Sequence, residues 1–144
     1  MTLYIEDNEN ATELNQMTFN SSIKEAKERG ELSLARRMDA ERRIASAIVR
    51  HALKNNMQVS INDGEEWTVK KSGNYREIMS ALYSTDEDVI RLNNATDGFP
   101  LGKFFLVYGN DGYDVVSDYT VTETTDHIWE TVIKPLSDLI EMGK

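Results

Sequence analysis

The chain of 144 residues has no cysteine and two prolines, and no apolar run reaches the roughly 20 residues that a membrane span requires. Without thiols there are no disulfides, thiolate metal centres or cysteine nucleophiles, a composition that fits a reducing compartment. Histidine is almost as scarce. His51 and His127 are the only two, with no second histidine at ligand spacing and no Gly-Xaa-Ser-Xaa-Gly elbow to serve as nucleophile, so structural or surface roles account for both. Residues 1 to 20 show none of the basic, apolar and small-residue blocks of a secretory signal. The expectation is one soluble domain, located in the cytoplasm, with no membrane association.

What the chain has in excess is acid. Its formal charge of -9 is unevenly spread: residues 1 to 23 hold four acids and no bases, residues 24 to 56 hold nine bases against five acids, and residues 57 to 144 hold sixteen acids against seven bases. Phosphate contacts need clustered cations, so this balance argues against direct nucleic-acid binding. It leaves a basic protein partner or a nucleic-acid mimic open, alongside plain solubility.

Asn-Asp-Gly occurs twice, at residues 62 to 64 and 110 to 112, each time between short runs of alternating apolar residues. Both read as hairpin loops. Three-residue loops with Gly in the left-handed position would set Ile61 opposite Glu65, Val59 opposite Trp67 and Met57 opposite Val69, gathering one apolar face. The same rule sets Val107 opposite Val115 and Phe105 opposite Ser117. Apolar residues on both faces of 104 to 108 predict a strand covered on both sides, or nearly so, near the middle of its sheet, with the first hairpin nearer an edge.

Helical signals surround these strands. Ser22 with Glu25 reads as a capping box, Gly30 as a break, and a second helix extends over 31 to 54 with Leu34, Met38, Ala45, Val49, Ala52 and Leu53 on one stripe. Asn74 with Glu77 caps a short helix carrying Tyr75, Ile78, Met79 and Leu82, which ends at Thr85-Asp86. Val89, Ile90 and Leu92 mark a strand, and a last helix starts near Thr125 or Asp126 with a kink expected at Pro135. The fold class is α+β: a mostly antiparallel sheet of about five strands with two hairpins, packed by helices. Residues 1 to 21 form a flexible or loosely docked arm, and residues 22 to 144 form one domain, with a helical segment over 22 to 56 and the sheet-containing part over 57 to 144.

The succession Val59-Ser60-Ile61-Asn62-Asp63-Gly64-Glu65-Glu66-Trp67-Thr68-Val69, then Ser84-Thr85-Asp86-Glu87-Asp88, then Leu106-Val107-Tyr108-Gly109-Asn110-Asp111-Gly112, resembles small uncharacterised proteins of tailed phages and prophages over roughly residues 46 to 142. The resemblance implies a phage-encoded accessory protein in a bacterial host cytoplasm. It implies no activity, cofactor or catalytic residue.

Several residue groups are candidates for binding. Arg36, Arg43 and Arg50 recur every seven residues and form a loose basic stripe suited to phosphates or an acidic partner, although pairing with Asp39 and Glu41 explains them as well. Trp67 beside an edge hairpin would anchor a partner, and Tyr108 reads as core or partner contact. Asp114 and Asp118 share a strand face and could do acid and base work only if burial raised one pKa. Asp111 with Asp114, or residues 86 to 88, offers oxygen ligands but lacks the completion of a calcium loop, so no metal or cofactor is expected. The function expected is non-enzymatic binding of a host or phage macromolecule, most simply a protein. The alternatives are a protein that sequesters a nucleotide ligand and a carboxylate-based hydrolase; a homodimer through an edge hairpin is also conceivable.

Overall fold

Thr18 and Ser21 exchange side-chain and backbone hydrogen bonds at 3.0 and 3.2 Å, and this reciprocal cap starts the first helix, α1 (Phe19–Glu28). The start therefore precedes the expected Ser22 and Glu25 pair, because Phe19 is itself a core residue, 2 % exposed. These are the first residues of the computed structural model, which describes residues 18–144. Most of the expected arm thus lies outside the described residues, whereas residues 18 to 21 open a packed helix. The long helix α2 (Leu32–Lys54) follows and matches the expected span, and α3 (Tyr75–Ala81) is capped by the Asn74 side chain on the Glu77 amide at 3.0 Å. It ends at Ala81, one turn earlier than expected, since Tyr83 takes a left-handed backbone (φ 70°).

Five strands, β1 (Met57–Asn62), β2 (Trp67–Ser72), β3 (Glu87–Asn94), β4 (Pro100–Val107) and β5 (Val116–Tyr119), form one antiparallel sheet in the order β2-β1-β3-β4-β5. Register sorts its two faces. Ile61, Ile90 and Phe104 lie in one cross-strand row with buried side chains, and Val59 and Leu92 continue that inner face. The alternate rows, Asn62-Val89-Phe105 and Ser60-Arg91-Lys103, belong to the outer face. Helix α2 packs on β1, α3 on β1 and β2, and α4 (Glu123–Ile128) on β4, all against the inner face. The outer face is less covered: Lys103, Phe105 and Val107 are half-buried where Phe104 and Leu106 are buried, so β4 is fully covered on one side and partly on the other. Each hairpin also ends at a sheet edge, β2 on one side and β5 on the other.

The first hairpin departs from the expected register. Asn62 pairs with Trp67 and Ile61 with Val69, leaving a four-residue loop over residues 63 to 66. Side-chain capture explains the extra residue: Asp63 Oδ1 accepts the amides of Glu65 and Glu66 at 2.9 and 3.0 Å, and Asn62 Oδ1 accepts that of Gly64 at 2.8 Å. The Glu66 and Glu65 amides also hold the Asp63 carboxyl below its ordinary range. Register irregularities on both sides of Ile61 keep Val69 on the inner face. Trp67 consequently joins the outer face instead of lying with Val59 and Val69.

The second loop does more than reverse the chain. The Val107 amide donates to the Val115 carbonyl at 2.9 Å as expected, but β4 then slips, pairing Phe105 with Asp118. Residues 109 to 112 dock on α2: the Gly109 amide donates to Glu41 Oε2 at 2.9 Å, and a Cβ on Gly112 (φ 94°) would come within 2.9 Å of both Ala40 Cβ and the Arg37 carbonyl. Gly112→Ala is expected to cost about 2–4 kcal/mol in urea unfolding, from left-handed strain plus displacement of a helix backbone. Gly109→Ala, which meets open space at a similar φ, should cost only the strain, about 1–2 kcal/mol.

The last helix begins at Glu123, capped by a Thr122 and Thr125 box, slightly before its expected start. Just before Pro135 comes a π-helical turn (Trp129–Ile133), in which the Lys134 amide reaches back five residues to Trp129, ahead of α5 (Lys134–Glu141). Proline lacks an amide donor and crowds the carbonyl one turn back; widening the preceding turn absorbs both defects.

Candidate binding cleft

Helix α2 carries its apolar stripe at helical spacing, and one acid falls inside it. Glu41 stands three residues after Met38 and three before Ile44 and is 0 % exposed. Strand β3 repeats the anomaly, because Asp88 occupies the inner-face position two before Ile90 and is 1 % exposed. Burying a carboxylate is costly unless hydrogen bonds compensate. Asp88 Oδ2 accepts the Tyr83 amide at 2.8 Å and the Tyr108 hydroxyl at 2.5 Å, while Oδ1 has no partner among the described residues. Desolvation outweighs those two bonds and pushes the Asp88 pKa up to about 6. Glu41 is raised for the same reason, burial, against the opposing pull of the Gly109 amide and of Arg37. Arg37 Nε lies 3.5 Å from Glu41 Oε1, within ion-pair range but without a hydrogen bond, and its Nη2 donates to the Tyr83 hydroxyl at 3.0 Å.

Three rings pack against one another in the same region. Phe19 stacks on Tyr83 at 4.6 Å between centroids, and Tyr108 meets both edge-on at 5.5 and 4.8 Å. Burial, reinforced by Asp88, lifts the Tyr108 hydroxyl well above its ordinary pKa, so it remains a donor throughout the physiological range. The tyrosines form part of the wall of a cleft of about 450 Å³ between α1 and the segments 83 to 86 and 108 to 109. Ser22, Glu25 and Arg29 line it from α1, Leu34, Arg37 and Met38 from α2, and Ser84, Thr85 and Asp86 from the loop before β3. Two of its cations are engaged, Arg29 with Glu25 and Glu31 at 3.0 and 2.7 Å, and Arg37 with Tyr83 and Glu41. Ser22 is 6 % exposed and its hydroxyl has no partner among the described residues. With both arginines paired, the Asp86 carboxylate is left without an ion pair among the described residues. The lining's chemistry suits a ligand that brings N–H groups on an aliphatic stem, an ammonium or guanidinium.

Of the candidate binding residues Arg36, Arg43, Arg50, Trp67, Tyr108, Asp114 and Asp118, Tyr108 alone lines this cleft, together with Asp86 from the oxygen-ligand candidates. Arg50 is committed to α3: its Nε donates to Ser46 at 3.1 Å, its Nη2 to the Tyr75 hydroxyl at 3.3 Å, and its guanidinium covers the Tyr75 ring at 4.4 Å. Arg36 is exposed and Arg43 half-buried on α2, so the three arginines do not act as one free stripe. Trp67 lies on the outer sheet face under Arg91, 4.2 Å from guanidinium to ring centroid. Asp114 and Asp118 are exposed and hold loop or strand amides, of Asp111 at 3.1 Å and Tyr119 at 2.8 Å, with no hydrogen bond joining the two carboxylates. The fold does bring His51 and His127 together from α2 and α4, 5.9 Å between rings, a proximity that no local pattern predicts; burial, then His127, lowers the His51 pKa. Among the described residues no group of three or more His, Asp or Glu side chains is placed to hold a metal ion, and no helix is long and apolar enough to cross a membrane.

Sequence reasoning took Glu41 for a surface partner of the arginines and Asp88 for a candidate oxygen ligand, whereas both are buried; each left a trace, a charge at a position the surrounding periodicity assigns to the core. No family model matches the chain, and no curated protein or solved structure is similar to it.

Proposed function

We propose that the protein is a non-enzymatic accessory protein that binds a basic protein partner, admitting a lysine or arginine side chain into the cleft. The observation that carries the reading is the charge pattern of the lining: Arg29 and Arg37 are paired with Glu25, Glu31 and Glu41, whereas the Asp86 carboxylate makes no ion pair among the described residues. Leu34 and Met38 supply apolar surface for the stem of such a side chain, and tyrosine faces attract cations. The acid surplus of residues 57 to 144 supports the same partner by long-range attraction. A phage-encoded origin is part of this proposal and rests on the sequence resemblance alone.

Calorimetric titration of the full chain with a short arginine- and lysine-rich peptide, against a Gly-Ser peptide as control, tests it. Saturable binding to the basic peptide is expected, weakened about tenfold or more by Asp86→Lys and by raised salt, as charge complementarity requires. Absence of binding, or equal binding by Asp86→Lys, would remove the cleft from consideration.

A further inference from the structure

The outer face of the sheet has an arrangement that the cleft does not explain. Arg91 on β3 and Lys103 on β4 are direct cross-strand partners, two like charges facing each other on one surface, a placement that disfavours the sheet unless an anion lies beside it. Neither makes an ion pair with a described carboxylate. Arg91 Nε is buried without a hydrogen-bond partner, and its Nη2 reaches Ser60 only at 3.5 Å. Lys71 adds a third cation at the end of this face, its Nζ 3.4 Å from where a Cβ on Gly98 would stand, in the turn whose carbonyl accepts from Asn93. The adjoining row is apolar: Val89 pairs with Phe105, and Trp67 lies across Asn62 from Val89. A basic row next to an apolar and aromatic row is the complement of an extended chain that carries carboxylates beside apolar side chains.

We infer that this face docks an acidic, partly apolar segment of a partner protein, its carboxylates on Lys71, Arg91 and Lys103 and its apolar residues on Val89 and Phe105. Charge complementarity selects the occupant. A second copy laid face to face would set cations against cations. A nucleic acid would bring a continuous line of phosphates to a chain of net charge -9, whereas a segment with a few carboxylates engages the three cations alone. The surface is separate from the cleft and stands whether or not the cleft binds a basic partner.

Fluorescence anisotropy of a labelled peptide alternating Glu with Leu, added to the full chain, tests the assignment. The expected result is saturable binding, weakened about tenfold by Lys103→Glu and comparably by Lys71→Glu, and lost progressively with salt, with Asp86→Lys leaving it unchanged. Lys71→Glu keeps the test decisive should Lys103→Glu fail to fold. No binding, equal binding by a Gln-Leu peptide, or preference for single-stranded DNA overturns the inference. Tighter peptide binding by a full-length variant with Glu6, Asp7, Glu9 and Glu13 neutralised would assign the face to the chain's own acidic segment, and overturns the partner reading as well.

Discussion

Asp88→Ala should destabilise the fold by about 2–4 kcal/mol at neutral pH, because it strands the buried Tyr83 amide and Tyr108 hydroxyl, which Asp88 Oδ2 now accepts at 2.8 and 2.5 Å. The carboxylate also imposes a pH dependence whose sign follows from its environment. In the unfolded chain it titrates at its ordinary 3.8, and in the fold at about 6, so between those values the folded state holds a proton that the unfolded state releases. Stability from this group is therefore complete below the lower value, falls as pH rises through the window, and levels off above it, lower by about 3 kcal/mol. Asp88→Asn keeps an oxygen acceptor for both donors and removes the titration. The difference between wild-type and Asp88→Asn stability, measured by urea unfolding from acid to neutral pH, should show this slope. A difference that does not vary with pH would mean that Asp88 is better solvated than its 1 % exposure implies.

Phe104→Ala should cost about 3–5 kcal/mol, the larger of the two effects, through lost burial and the cavity left behind. Phe104 is 0 % exposed in β4, opposite Ile90, and its ring lies 5.6 Å from that of Tyr119, which in turn stacks on Trp129 at 5.7 Å. The chain of rings ties the centre of the sheet to edge strand β5 and to the π turn. Phe104→Leu, which retains most of the volume, should cost less than half as much. Near-UV circular dichroism should report loss of the Tyr119 and Trp129 environment in the alanine variant before the far-UV signal changes. A cost below about 1 kcal/mol would show that the surrounding side chains collapse into the space.

The positions of helices and strands were legible in the sequence because their signals are local. Asn74 caps α3 within three residues, the α2 stripe repeats at helical spacing, and alternation marks the strands that pair into a five-stranded antiparallel sheet. Register was less legible. The Asn-Asp-Gly loops do reverse the chain, but Asp63 gathers amides from two later residues and lengthens the first loop by one. A one-residue change sends Trp67 to the other face. Gly112 reads locally as a turn residue, yet what demands glycine there is the backbone of α2, distant in sequence.

Sequence by itself thus determined the composition limits, the secondary structure and the α+β class, all of which follow from neighbours a few residues apart. Only the tertiary structure decided that Glu41 and Asp88 are both buried and both act on Tyr108, that Arg50 belongs to Tyr75, and that Arg91 faces Lys103 across two strands. A charge acquires its pKa and its partner from groups brought together by long-range packing. No local pattern in the chain carries that information.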